Sequence, residues 1–325
     1  MQNRRGLFAG MQSGRLSGFG PYKGTKDLPN AGRISRFIRN FVDMKVALCQ
    51  FSMEWEAAAR NLRRAEELVA QAGADLALLP EMFATGFVTE PWRTALPDEE
   101  ELLAWMRRTA RRYATALAGS AVVRSGDRFA NRFFFVRPAG GAERYDKRHL
   151  FSIGGEDAHF VAGRRRVVVE YGGLRFLPLV CYDLRFPVWC RCRSDYDAIL
   201  CVASWPAPRR EVWRTLLRAR AIENQCYVVG VNRTGDDPWN HYAGDSAVVD
   251  FKGTPLCEAD ASEGVFTARQ GSARSVPDEI SRMARRRRFP AAMTVRGMRF
   301  AEKSLPLPGI YSGPDGQRPG RARRG

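Results

Sequence analysis

Histidine is scarce, metal-type cysteine spacings are missing, and no long apolar run occurs. The 325 residues hold three histidines and no CxxC or HxxxH spacing, so the donor set for a metal is not assembled along the chain. Cys190 and Cys192 form a close pair, but nothing with ligand spacing accompanies them, and no metal is expected. Seven cysteines, an odd number scattered through strand-like runs, are unlike the even framework of a small secreted scaffold, which points to a reducing cytoplasm. No window approaches the roughly 18 consecutive apolar residues of a bilayer-spanning helix, so no membrane partner is expected.

Acidic residues are scarce at the two ends. Residues 1–43 hold 8 Lys and Arg against 2 acids, and residues 281–325 hold 12 against 2. Residues 44–280 keep 32 against 31, so a formal charge of +17 shrinks to +1 over that part. A nucleic-acid-binding protein that uses basic ends is the reading from another functional class. The near-neutral middle argues against it, as does the absence from the C-terminal end of aromatic residues on a folded platform. Residues 281–325, with a run of arginines, prolines and glycines, are expected to be a solvated tail. Residues 1–43, rich in Gly, Arg and Ser, read as a disordered extension or an upstream start, since Met44 opens a strand and then a helix; an Arg-bearing transit peptide is the alternative.

Between the ends, 45% hydrophobic residues suffice for a large core. Apolar periodicity predicts strands over residues 46–51, 75–80, 119–123, 131–136, 167–171, 174–180, 198–202, 226–231 and 247–250. Helices are predicted over 54–72, with Trp55, Ala58, Leu62, Ala65 and Leu68 on one face, over 99–117 and over 209–224. Gly73 supplies the first helix stop. "DLALLP" is apolar throughout, as a strand covered on both faces would be. "VVVEYGGLRFLPLV" reads as a hairpin turning at Gly172-Gly173.

Three apolar strands each deliver a reactive residue at the C-terminal end, where sites gather in layered α/β proteins. They are "DLALLPEMFATGF" with Glu81, "ERYDKRHLFSIGGE" with Lys147 and "RFLPLVCYDLRFP" with Cys181. A lone cysteine is most often a small core residue, as expected for Cys49 and Cys201. Cys181 differs because polar residues follow it at a strand end, the setting that presents a nucleophile and aims the next N–H groups at one point. Its thiol needs a base or a neighbouring cation. None of His149, His159 or His241 lies in a familiar Cys-His signature, whereas a Glu and a Lys would meet the same need.

"LLPEMFATGF", "YDKRHLF" and "LVCYDLRFPVW" resemble the three signature segments of the nitrilase superfamily of carbon–nitrogen hydrolases. The resemblance continues through "SWPAPRREVWRTLLRARAIENQCYVVGVNRTG" and "YAGDSAVVDFKG", so it spans about residues 44–270. "CYDLRFPVW" and "SWPAPR" further resemble the omega-amidase branch. The resemblance implies a four-layer α-β-β-α sandwich, with two mixed sheets flanked by helices, over residues 44–280, and a homodimer. It also implies Cys181 as nucleophile, Glu81 as base, and Lys147 with the Tyr182 N–H as oxyanion donors, each well-placed donor worth about 3–4 kcal/mol. Glu156 falls where the family places a second glutamate beside the lysine, with Asp157 as an adjacent competitor. No cofactor is implied, only water and a small amide.

The omega-amidase branch implies a short amide with a distal carboxylate, such as a 2-oxo dicarboxylic acid monoamide, which needs a cation and snug walls. Arg185 and Arg209 are the candidate cations, and Phe87, Trp205 and Tyr182 the walls. Arg185 could instead pair with Asp183 or Asp197 to fix the turn. His241 reads as a loop hydrogen-bonder, with Tyr242 and Asp245 as possible supports. A nitrilase, an N-carbamoyl hydrolase or an amidase for deaminated glutathione would share the triad and differ at these walls.

Overall fold

A computed structural model of the chain describes residues 44–93 and 98–268. The expectations for residues 1–43 and 281–325 fall outside the described residues, as does the end of the domain predicted to run to residue 280.

In chain order the elements are β1 (Val46–Gln50), α1 (Ala58–Ala72), β2 (Leu76–Leu78), α2 (Glu99–Arg112), β3 (Ala116–Ser125), β4 (Arg128–Val136) and β5 (Ala142–Asp146). There follow β6 (Val169–Tyr171), β7 (Leu174–Val180), β8 (Ala198–Ala203), α3 (Arg210–Asn224), β9 (Tyr227–Asn232), β10 (Thr234–Asp236) and β11 (His241–Ala243). The last are β12 (Ala247–Val249), β13 (Pro255–Glu258) and β14 (Gly264–Ala268). Two six-stranded sheets form, in the orders β14-β1-β2-β3-β4-β5 and β13-β12-β9-β8-β7-β6, and β10 pairs with β11. Each large sheet is mixed: β1-β2-β3 and β7-β8-β9 run parallel, and the flanking strands are antiparallel.

Alternation along the strands sorts side chains into three apolar layers. Leu48, Leu78, Phe133 and Phe135 of one sheet meet Phe176, Val180, Leu200 and Val229 of the other. On the outer faces, Cys49, Ala77 and Phe134 pack with Leu68 and Val69 of α1 and Leu103 and Met106 of α2. Leu177, Ile199 and Val228 pack with Trp213 and Leu217 of α3. Each large side chain so buried contributes roughly 1.5–3 kcal/mol. The result is the expected helix–sheet–sheet–helix sandwich.

Several boundaries differ from the sequence reading for local reasons. The first helix begins at Ala58 rather than residue 54, because Glu56 takes φ 58° and the Asn61 side chain bonds Glu54 N and O. Its buried face is Asn61, Ala65, Leu68, Val69 and Ala72, with Trp55 and Ala58 off it and Leu62 partly buried. The second helix ends at Arg112, since Ala114 takes φ 50° and reverses the chain into β3, so Leu117 belongs to a strand. Gly73 does cap α1 in the left-handed region, and Gly172 and Gly173 both take positive φ in the β6–β7 turn. Strands β10, β11, β13 and β14 are short or polar and were not anticipated, and β5, expected as an apolar strand leading to Lys147, is instead the polar, mostly half-buried segment AERYD.

The ends of β2 and β8 meet between the sheets. Glu81 N donates to Ala203 O at 3.4 Å, and Ser204 Oγ donates to Glu81 O at 3.1 Å. Strand β3 holds the turn after β2: Leu79 N donates to Ala118 O, Met82 N to Ser120 Oγ and Phe83 N to Ser120 O. A Cβ on Gly119 would stand 2.9 Å from Phe83 Cδ1 and 3.0 Å from Leu79 Cβ, too close on both sides of Glu81. Gly119→Val is therefore expected to cost about 1–3 kcal/mol of stability, read from the denaturant midpoint, and to lower activity more than the folded fraction falls.

Candidate active site

Glu81 ends the β2 run, and Lys147 follows β5 with its N donating to Asn131 O of β4 at 2.9 Å. Glu156 opens the one-turn helix Glu156–His159. All three are buried. Lys147 Nζ lies 2.9 Å from Glu81 Oε1 and 2.8 Å from Glu156 Oε2. Phe151 N donates to Glu156 Oε2 at 2.7 Å, and Ser204 N donates to Glu81 Oε2 at 2.9 Å. Asn131 Nδ2 donates to Glu81 Oε1 at 2.8 Å and to Glu156 Oε1 at 3.1 Å. Asp157 is exposed, so of the two neighbouring acids it is Glu156 that meets Lys147.

Burial alone would drive the Lys147 ammonium toward neutrality, but Glu156, Glu81 and the Cys181 sulfur reverse this and hold its pKa above the usual lysine value. The Glu156 carboxyl is pushed up, first by burial and also by Glu81, against the pull of Lys147. A cluster of one cation and two carboxylates thus stays closely paired in a dry place.

Cys181 follows Val180 at the end of β7 and begins the turn Cys181–Arg185. Its φ is 46°, a left-handed conformation costing a residue with a Cβ about 1–3 kcal/mol. Asp183 holds that strain in place. It accepts from Val180 N at 3.1 Å, Tyr145 OH at 2.8 Å, His149 N at 2.8 Å and lies 2.8 Å from His149 Nδ1. Tyr145 and His149 flank Lys147, so one buried carboxylate ties the lysine segment to the thiol turn. Part of Cys181 faces a cavity, yet it lies deep enough that burial is the main influence raising its thiol pKa well above the usual value. Glu81 raises it further and Lys147 opposes them. Tyr182 is the second residue of the turn, where N–H groups lack intrahelical acceptors.

The cavity, of about 380 Å³, is lined by Lys147, Cys181, Tyr182, Phe87, Phe151 and Trp205. Arg185 and Arg209 also line it, as do Trp239, Asn240 and Tyr242. The Arg185 guanidinium lies 5.0 Å from the Trp205 ring centre and 5.8 Å from that of Tyr182, and Arg209 lies 5.4 Å from that of Phe151. The carboxylates considered for Arg185 are engaged elsewhere, Asp183 as above and Asp197 by Arg175 at 2.7 Å. His241 is exposed and pairs with Asp236, Tyr242 is buried at the cavity wall, and Asp245 receives Arg210 and Arg214 at the start of α3. Cys49 and Cys201 are core residues, burial pushing the Cys49 thiol up to about 12.

Sequence reasoning missed Asn131 and Ser204. Asn131 carried a usable signal, a neutral polar residue inside the apolar run "RFANRFFFV". Ser204 did not, because it is the backbone N–H that serves Glu81.

The carbon-nitrogen hydrolase family model matches residues 45–274, and the chain belongs to this family. It is a hydrolase of carbon–nitrogen bonds, acting on a small molecule and water. It is 45% identical over 253 residues to the omega-amidase YafV of Yersinia enterocolitica, covering 76% of this chain and 95% of that one. The 2-oxoglutaramate amidase of Bacillus subtilis is 33% identical, covering 69% and 89%. Among solved structures, a CN-hydrolase superfamily protein from Xanthomonas campestris, with an arsenic adduct in its active site, superposes with a TM-score of 0.70 at 40% identity, covering 79% and 98%.

Removing the central cation tests the cluster. Lys147→Met should cost about 3–5 kcal/mol by leaving two buried carboxylates without a counter-charge. Burial and Glu81, which already push the Glu156 carboxyl up, would then act without the opposing pull of Lys147. The deficit should be smallest below the unfolded carboxyl range, about pH 4, and should grow as pH rises through the folded Glu156 value. Urea midpoints across pH check this; a deficit that shrinks with rising pH would contradict it.

Proposed function

We propose that the chain is an omega-amidase, hydrolysing the terminal amide of a small dicarboxylic acid monoamide, a 2-oxo acid in particular, through a thioester on Cys181. The carrying observation is that Arg185 and Arg209 line the same cavity as Cys181, and no carboxylate among the described residues pairs with either. Two cations over aromatic walls suit a substrate carboxylate. The names of the similar enzymes support the same substrate class.

In the cycle, Glu81 takes the Cys181 proton as sulfur attacks the amide carbon. Lys147 and the Tyr182 N–H face the oxyanion. Glu81 returns the proton to the departing nitrogen, and ammonia leaves a thioester. Water, deprotonated by Glu81, attacks it; the acid departs and the proton returns to sulfur. Glu156 holds Lys147 in place throughout. Phe87, Trp205 and Tyr182 form the walls. We also read residues 44–280 as the hydrolase domain of a cytoplasmic homodimer; the family match over residues 45–274 and the exposed Val188 and Ile222 support the domain and the pairing.

Ammonia release from a panel of carboxylated amides, uncharged amides, nitriles and N-carbamoyl acids, by wild type and Cys181→Ala, tests the reading. Carboxylated amides are expected to be turned over only with Cys181 present. Arg185→Met and Arg209→Met should raise KM for them about 10-fold or more, from a lost charge-assisted bond, and leave butyramide turnover within about threefold. Equal loss on butyramide would remove the arginines from carboxylate binding.

A further inference from the structure

Asn131 is fully buried on β4, and its side chain has two jobs of unequal success. Nδ2 makes both of its hydrogen bonds, to Glu81 Oε1 and Glu156 Oε1. Oδ1 has no partner. The opposite orientation of the amide would aim Oδ1 at two carboxylate oxygens, so the nitrogen must face them; one bond is forgone for two to charged acceptors. The backbone joins in, since Asn131 O accepts from Lys147 N at 2.9 Å. One residue thus touches the base, the second glutamate and the lysine backbone.

The consequence for Glu81 is geometric. Its Oε1 receives both Lys147 Nζ and Asn131 Nδ2, whereas among the described residues Oε2 receives one N–H, that of Ser204. Oxygen Oε2 is therefore the one with capacity left to accept a proton. The charged and titratable groups facing Glu81 are Lys147, which follows β5, Glu156 of the one-turn helix, Cys181 after β7 and, at longer range, Cys201 of β8 and Tyr242 of β11. Asn131 is the neutral side chain bridging the two carboxylates.

We propose that Asn131 is a positioning residue of the reaction: by bonding Oε1 of both glutamates it reserves Glu81 Oε2 for the Cys181 proton and keeps Glu156 on Lys147. The proposal rests on reading Cys181 as the attacking thiol and Glu81 as its base, and needs no particular substrate. A donor to a carboxylate favours the charged form. Loss of Asn131 should therefore make the pair easier to protonate and move the acid limb of every Glu81-dependent step to higher pH.

The test is the pH profile of Cys181 alkylation by iodoacetamide, followed by mass spectrometry, in wild type, Asn131→Ala and Asn131→Asp, beside kcat, KM and thermal unfolding. For Asn131→Ala the acid limb of alkylation should move up in pH. In the ammonia assay kcat should fall about 100-fold, with KM within about twofold. Asn131→Asp keeps the shape and adds a third carboxylate; it should move the limb the same way and carries the test if the alanine variant does not fold. A folded variant with a lowered melting temperature but a wild-type alkylation profile would overturn the proposal and leave Asn131 a packing residue. Because alkylation needs no substrate, this outcome is distinct from failure of the omega-amidase assignment.

Discussion

The whole site depends on keeping one ammonium and two carboxylates dry and paired between two sheets. An isolated buried charge is costly, and a partly satisfied cluster is worse than an apolar core. Here the satisfaction is nearly complete: Lys147 reaches both glutamates, Asn131 bridges them, Ser204 N takes the remaining oxygen of Glu81, and Phe151 N adds a second donor to Glu156 Oε2. Each donor comes from a different segment. The cluster therefore requires the strand ends to be in register, and in return it fixes where those ends lie.

The two sheets share one plan, a parallel triplet with antiparallel flanks. The middle strands, β2 and β8, touch at their C-terminal ends through Glu81 and Ser204. The first sheet supplies Glu81 and Lys147, and the second supplies Cys181 and the Ser204 N–H that holds Glu81. Neither sheet alone carries a complete set. Asp183 closes the remaining gap, binding Tyr145 and His149 of the lysine segment to the strained turn at Cys181.

The legible parts of the sequence were those encoded by local pattern. "DLALLP" showed its double burial in continuous apolarity, Gly73 and Gly172-Gly173 marked their turns, and Glu81 and Cys181 stood out as reactive types closing apolar runs, whereas Lys147 follows the polar strand AERYD. The left-handed residue Ala114 has no such mark, and the good helix formers around it carried the predicted helix too far. Strand β14 owes its existence to pairing with β1 from the opposite end of the domain, a tertiary fact absent from "GVFTA" itself. Arg185 could not be placed until both carboxylates competing for it were found committed elsewhere, to Tyr145 and His149 and to Arg175.

Electrostatics also links the cluster to substrate orientation in the proposed reaction. Burial, and after it Glu81, raises the Cys181 thiol pKa, which fits the proposed cycle in which Glu81 takes the proton as sulfur attacks. Two glutamates meet Lys147 beside Cys181, and Glu81 adds to the rise of the thiol pKa. A second anion brought to about 4 Å would meet a repulsion of roughly 4 kcal/mol at an effective dielectric of 20, enough to reverse a binding preference. On the proposed reading, a substrate carboxylate is disfavoured next to the thiol and favoured beside Arg185 and Arg209, which lie over Trp205, Tyr182 and Phe151. In the proposed reaction, a molecule with an amide at one end and a carboxylate at the other satisfies both demands only with its amide on Cys181.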